Sequence, residues 1–226
     1  MKTICTADEA AALVQTGDVL LVGGFGFAGT PLSLIEALVR REDVGDLTLV
    51  SNNGGQWSGQ GLGKLILQKK VKKLIGTFFT NNPDIARLYS AGELEVQLVP
   101  QGTFAEGLRA AGAGIPAFYT RTAVGTPLAQ GKETRIFDGD EYLLERAIHG
   151  DVAFIKAHKA DRLGNLVYRR TGRNFNALMA TAAETVIAEV DEIVEVGELR
   201  PEEIITPHLY VDRLVLREVV PDDQSH

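Results

Sequence analysis

The run Asp18-Val19-Leu20-Leu21-Val22-Gly23-Gly24-Phe25-Gly26-Phe27-Ala28-Gly29-Thr30-Pro31 leaves the backbone few solutions. Its apolar start reads as a buried strand, and four glycines within the next seven residues cannot continue one. Pro31 suits the first position of a helix, where its missing N–H has no partner to lose. Leu34, Ile35, Leu38 and Val39 then recur at helical spacing. The order is strand, tight glycine loop, helix N-terminus. Glycine lets a backbone approach a ligand closely, and a helix N-terminus offers unpaired N–H donors to an anion. Residues 23–31 are therefore expected beside a group that is negative or becomes so during a reaction.

Gly24, Gly26 and Gly29 also satisfy G-x-G-x-x-G, the dinucleotide fingerprint. That fingerprint wants an acid roughly 20 positions on, after the second strand, to hold a ribose hydroxyl. Here the second strand, Leu47-Thr48-Leu49-Val50, ends in Ser51-Asn52-Asn53-Gly54-Gly55 without a carboxylate. Glu42, Asp43 and Asp46 precede that strand, at its wrong end. A nucleotide-binding oxidoreductase stays as the alternative of a different class.

The remaining chain repeats the strand–helix alternation. Residues 7–15 read as a helix, with Thr6 and Glu9 placed for a capping box. Strands are expected at 19–22, 47–50, 74–79 and 95–100, and helices at 32–40, 61–68, 83–91 and 104–111. Four strands alternating with helices argue for an α/β fold, an open, mainly parallel sheet covered by helices. Residues 112–150 break the pattern, and a hairpin over 136–144 turning at Asp138-Gly139-Asp140 marks them as a small antiparallel insertion. Strands resume at 152–157, 166–170, 185–190 and 211–218, with a helix at 175–182 and a polar tail at 221–226. All 226 residues are read as one domain.

In such sheets ligands gather beyond the C-terminal strand ends. Three of those ends carry polar, glycine-rich loops, at 23–29, 51–55 and 101–102. Gln101 can donate its amide to a carbonyl or thioester oxygen, or stabilise its turn. Asn52 and Asn53 can bind a carboxylate or carbonyl, or serve the turn alone. The cluster Lys69, Lys70, Lys72 and Lys73 could meet phosphates, but reads more readily as a solvated helix-to-strand connection. Arg169, Arg170 and Arg173 suit either an anion, a partner chain or solvent. His149 and His158 lie without a Ser, Cys or Asp arrangement and read as structural. None of the three loops carries Glu or Asp, so the pocket lacks a nucleophile of the kind acyl transfer needs.

Bulk properties bound the partners. A net charge of −7 and a pI of about 5.2 argue against a nucleic-acid footprint, though a local basic pocket can still sit on an acidic protein. No apolar run approaches the roughly 18 residues of a membrane span, and the start lacks the apolar core of a secretory signal. A single cysteine, Cys5, suits a reducing compartment and reads as a small apolar group. A cytoplasmic protein without metal or cofactor is expected.

These residues resemble the family I CoA-transferases, in their A (α) subunit. The resemblance runs through residues 18–31, Ser51-Asn52-Asn53-Gly54-Gly55, Gly92-Glu93-Leu94-Glu95-Val96, Pro100-Gln101-Gly102-Thr103 and Gly112-Ala113-Gly114-Ile115-Pro116-Ala117-Phe118-Tyr119-Thr120. It continues through Lys159-Ala160-Asp161-Arg162-Leu163-Gly164-Asn165, Arg173-Asn174-Phe175-Asn176 and Ile205-Thr206-Pro207. It implies a companion B subunit, in a heterodimer or A2B2 tetramer, whose glutamate attacks an acyl-CoA thioester. An acyl-glutamyl anhydride and then an enzyme–CoA thioester follow, and CoA passes to a second acid. CoA is thus a substrate, not a cofactor. The B-subunit glutamate lies in a Ser-Glu-Asn-Gly motif, where this chain has Ser51-Asn52-Asn53-Gly54.

The resemblance further implies that Gln101 supplies an oxyanion-hole amide. Gly23, Gly24, Phe25, Gly26, Gly29, Asn52, Asn53 and Gly102 would line the substrate pocket. The segments at 114–120 and 209–214 look most like the succinyl-CoA:3-oxoacid (acetoacetate) transferases, with 3-oxoadipate and acetate/acetoacetate enzymes as alternatives. Arg121 and Ala123 depart from the proline and glycine common in those relatives.

Overall fold

A computed structural model describes residues 1–55 and 59–220; the tail expected at 221–226 lies outside the described residues. In chain order the elements open with β1 (Thr3–Cys5), α1 (Ala7–Ala11), β2 (Val19–Val22), α2 (Leu32–Arg40) and β3 (Leu47–Val50). They continue through α3 (Leu62–Leu67), β4 (Val71–Gly76), α4 (Pro83–Ser90), β5 (Glu95–Leu98) and α5 (Gln101–Gly112). A hairpin region follows, with β6 (Ala117–Thr120), β7 (Thr134–Phe137) and β8 (Asp140–Arg146). The chain closes with β9 (Gly150–Asp161), β10 (Leu166–Val167), α6 (Asn176–Met179), β11 (Ala183–Val194) and β12 (Arg213–Leu216).

Among the described residues the main sheet runs β1-β12-β11-β9-β2-β3-β4-β5, all parallel, with β10 antiparallel on β9. The short apolar runs of β2 and β3 suit strands covered on both faces. Alternation splits them cleanly. Leu20 and Val22 enter one core with α1, α2, α3 and α4, and Leu21 enters the other with Phe104, Leu108, Phe175 and Met179 of α5 and its surroundings. The small sheet β6-β8-β7 is the expected antiparallel insertion. Its turn holds Asp138 at φ 51° and Gly139 at φ 86°, the two positive angles of a type I′ hairpin.

β9 and β11 outrun β2. The last β2 partner on β9 is Phe154, and β9 then continues seven residues to Asp161 against β11. Along that extension the apolar run gives way to alternation, so Lys156 and His158 share the α2 side of the sheet with Phe154.

Several boundaries differ from expectation, each for a local reason. α1 stops at Ala11, because the Arg41 guanidinium donates to the Ala11 and Val14 carbonyls (2.8 and 2.6 Å). β4 ends at Gly76, and the N–H groups of Thr77 and Phe78 turn to the Asn52 carbonyl instead of β5. β10 ends at Val167, because residues 170–173 coil into a 3₁₀ turn with Arg170 at φ 50°. α6 is shorter than 175–182, and β1 on the sheet edge was not expected at all. The capping box at Thr6 and Glu9 forms as predicted.

Candidate active site

The C-terminal ends of β2 and β3 lie side by side, tied by the Ser51 hydroxyl donating to the Val22 carbonyl (2.9 Å). Beyond them the glycine loop faces the 51–55 loop across a narrow cleft. Gly23, Gly24 and Gly26 line one wall, and Ser51, Asn53 and Gly55 line the other. No carboxylate lines it among the described residues. Asn53 accepts from the Gly55 N–H (2.9 Å), an Asx turn. Asn52 is buried beneath, its amide donating to the Thr77 hydroxyl (2.7 Å). Phe25 stands 51% exposed at the loop tip, and Phe78 stands 52% exposed on the neighbouring loop, where it pairs with Asn53.

The glycine loop is held from behind by two asparagines that sequence reasoning placed only within the resemblance. The Asn174 side chain accepts from the Gly24 N–H (3.1 Å) and donates to the Ala28 carbonyl (2.9 Å). The Asn176 amide donates to the Gly29 and Gly172 carbonyls (both 2.9 Å) and accepts from the Lys156 N–H (2.8 Å). This contact sets the glycines. A Cβ on Gly23 would lie 1.8 Å from Asn176 Oδ1, and one on Gly29 would lie 2.4 Å from the Gly172 carbonyl. A Cβ on Gly24 would likewise lie 2.4 Å from Thr30 Oγ1, so at three of the four glycines a side chain would meet protein. The Asn-x-Asn spacing was the available signal.

The helix N-terminus is also not open as expected. Pro31 is the N-cap of α2, not its first helical residue. The Glu189 carboxylate from β11 accepts from the Ser33 and Leu34 N–H groups (2.8 and 3.3 Å). The acceptor at this helix start is the protein's own carboxyl side chain. A dinucleotide pyrophosphate would need the same N–H groups, which removes the geometric basis of the oxidoreductase alternative. Glu189 is fully buried, and its other oxygen has no hydrogen-bond partner. Burial pushes its carboxyl up to about 7, against the opposing pull of Lys156 and the two N–H groups.

Gln101 and Gly102 form the first turn of α5, not a loop, because the Pro100 carbonyl already accepts the first helical bond from the Phe104 N–H (2.8 Å). Both are exposed, and no side chain caps this helix. α5 follows the edge strand β5, three strand positions from β2, or about 14 Å at sheet spacing. The structure therefore brings residues 23–26 and Asn53 together and sets Gln101 and Gly102 further along the same rim.

Other candidates resolve simply. Lys69 and Lys73 pair with Glu93 and Glu95 (2.7 Å each), and Lys70 is buried, donating to the Arg41 carbonyl. His158, read as lacking an acid, has Asp191 3.1 Å from Nδ1. Cys5 is partly buried against the first core, and burial and Glu9 raise its thiol. Among the described residues no helix is long and apolar enough to cross a membrane.

The sequence matches the Coenzyme A transferase family over residues 4–217. It is 52% identical over 217 residues to the A subunit of the probable succinyl-CoA:3-ketoacid coenzyme A transferase of Bacillus subtilis (strain 168), covering 95% of this chain and 90% of that protein. It is 48% identical to the A subunit of the 3-oxoadipate CoA-transferase of Pseudomonas putida, covering 95% and 93%. An acyl-CoA transferase from E. coli O157:H7, solved as a thioester complex with CoA, shares the fold with a TM-score of 0.85 at 24% identity. The match covers 99% of this chain and 48% of that structure, so this chain spans about half its length. With a match over residues 4–217, and a relative half identical over nine-tenths of its own length, the chain belongs to the coenzyme A transferase family.

Proposed function

We propose that this chain is the A subunit of a CoA-transferase that moves CoA from succinyl-CoA to acetoacetate. The observation that carries the reading is the 52% identity to a relative whose name marks it as the A-type half of such an enzyme, over 90% of that relative's length. The site agrees with a half-site. Its cleft places backbone and amide groups at the strand ends but no carboxylate among the described residues. The nucleophilic glutamate then comes from a B subunit, and the exposed Phe25, Phe78 and Gln101 lie on the rim that would meet it.

In this reading a B-subunit carboxylate oxygen attacks the thioester carbonyl, and the C–S bond breaks as CoA thiolate leaves. The Gln101 amide donates to the carbonyl oxygen while it carries negative charge. The glycine loop, kept in register by Asn174 and Asn176, lines the acid-binding side of the pocket. The 48% identity to a 3-oxoadipate enzyme makes 3-oxoadipate the competing acceptor.

The test is direct. The chain is purified alone and together with its B subunit, and CoA transfer from succinyl-CoA is followed with acetoacetate and with 3-oxoadipate. Activity only in the mixture, with acetoacetate preferred, is expected. Full activity of the chain alone overturns the half-site reading, and preference for 3-oxoadipate reassigns the acceptor.

A further inference from the structure

A second cleft opens on the other side of the glycine loop, with a volume of about 350 Å³. Residues 27–30 form one wall. The extension of β9 and β11 beyond β2 forms the floor, and the turn at 169–172 forms the opposite wall. Its lining inverts the charge of the molecule. Among the described residues, Lys156, Arg169, Arg170 and Arg217 face a single lining carboxylate, Asp191, on a chain whose net charge is −7.

Asp191 is already shared. Lys156 Nζ lies 2.6 Å from it, His158 Nδ1 3.1 Å and Arg217 Nη1 3.5 Å. Burial alone would raise its carboxyl, but hydrogen bonds from Lys156 and His158 hold it below the usual range. Asp191 carries one negative charge against the three positive charges of Lys156, Arg169 and Arg170, so among the described lining residues positive charge is in excess even with Arg217 left out. Glu189, two residues before Asp191 on β11, is buried and turned to the N-terminus of α2.

Arg169 and Arg170 add two exposed guanidinium groups with no ion-pair partner among the described residues. Arg170 holds φ 50°, a conformation that costs a non-glycine residue about 1–2 kcal/mol. The turn is held in that shape by Asn174 and Asn176, whose amides donate to the Thr171 and Gly172 carbonyls (3.0 and 2.9 Å). Forked, weakly hydrated guanidinium groups at a strained, braced turn suit an anion with several oxygens.

We propose that the cleft formed by Lys156, Arg169, Arg170 and Arg217 beside the glycine loop is a binding site for a phosphate-bearing anion. Two sources share that chemistry, the phosphorylated end of a CoA substrate and a free phosphate compound acting as an effector. Assignment to CoA rests on the transferase reading above; the site itself does not.

The test uses the full chain and inorganic pyrophosphate, with binding measured by calorimetry at low and at physiological salt. The double variant Arg169→Gln/Arg170→Gly removes both unpaired cations, and glycine accepts the positive φ, so folding is preserved and is checked by circular dichroism. Binding weakened at least tenfold in this variant, and unchanged in Lys69→Gln/Lys72→Gln on the far connection, is expected. Equal affinity in wild type and Arg169→Gln/Arg170→Gly, or no heat at millimolar pyrophosphate, overturns the site. The sources are then separated with the chain assembled with its B subunit. A rise in KM for succinyl-CoA of about tenfold, at unchanged KM for acetoacetate, identifies CoA. An unchanged KM for succinyl-CoA beside lost pyrophosphate binding identifies a free phosphate. Absence of any transfer by the wild-type assembly sinks the transferase reading and leaves the pyrophosphate result intact.

Discussion

Glu189 gives up water to hold the start of α2, and the cost appears in its proton. Its carboxyl titrates near 7 in the folded chain, against an ordinary value of 4.5. The folded state therefore holds a proton that the unfolded state has lost between about pH 4.5 and 7. Stability contributed by this group is complete below that window and falls as pH rises through it, by about 3 kcal/mol in total. Glu189→Gln is expected to lose this dependence, so its stability relative to wild type improves between pH 5 and pH 8, read from urea midpoints. Gln101→Ala is expected to lower kcat of the assembled enzyme about 10²–10³-fold, the usual loss for one oxyanion donor; an unchanged rate removes Gln101 from the site. Ala123 sits at φ 72°, so Ala123→Gly is expected to raise stability by about 0.5–1 kcal/mol in thermal unfolding. At this scale the sequence was partly legible. Asn53 could be placed at its strand end, because a loop after an apolar run follows from local pattern. Glu189 could not, because its partners lie more than 150 residues away.

Elements were read best where one physical rule decides them. The helix at 32–40 and the strands at 19–22 and 47–50 have the expected bounds, since buried apolar spacing fixes them. Errors fell where a distant group took over a backbone bond, as Arg41 does at the end of α1 and Asn52 does after β4. The glycine loop shows the same rule. Its shape is set by Asn174 and Asn176, which link it to β9 and to the arginine turn. Asn176→Ala strips an acceptor from the Lys156 N–H and donors from two carbonyls at a fully buried position. A loss of about 2–4 kcal/mol is expected, since each buried group left unpaired costs about 1–3 kcal/mol. Chemical denaturation with an intact slope checks it, and a loss under about 0.5 kcal/mol would show that water replaces the amide.

For the molecule as a whole, strand–helix alternation revealed the α/β class and the antiparallel insertion, because each follows from periodicity. Strand order did not follow, since β9 returns to the middle of the sheet beside β2 from 128 residues away, between Val22 and Gly150. The rim left by that order carries Phe25 and Phe78, both half exposed beside the candidate cleft. Large aromatics on an open edge suit a buried protein contact. Phe25→Ser/Phe78→Ser is expected to weaken assembly with the B subunit by tenfold or more in sedimentation, while leaving the melting temperature of the separate chain unchanged. Equal assembly would place the contact elsewhere.

The Asn174 side chain accepts from the Gly24 N–H of the glycine loop, and its amide nitrogen donates both to Ala28 of that loop and to Thr171 of the arginine turn. The two walls it joins have no independent positions. Removing the Asn174 amide therefore strips a hydrogen bond from each wall at once, at Gly24 and Ala28 on one side and at Thr171 on the other. Two neighbouring hollows thus share one brace, with an asparagine amide as the common axle.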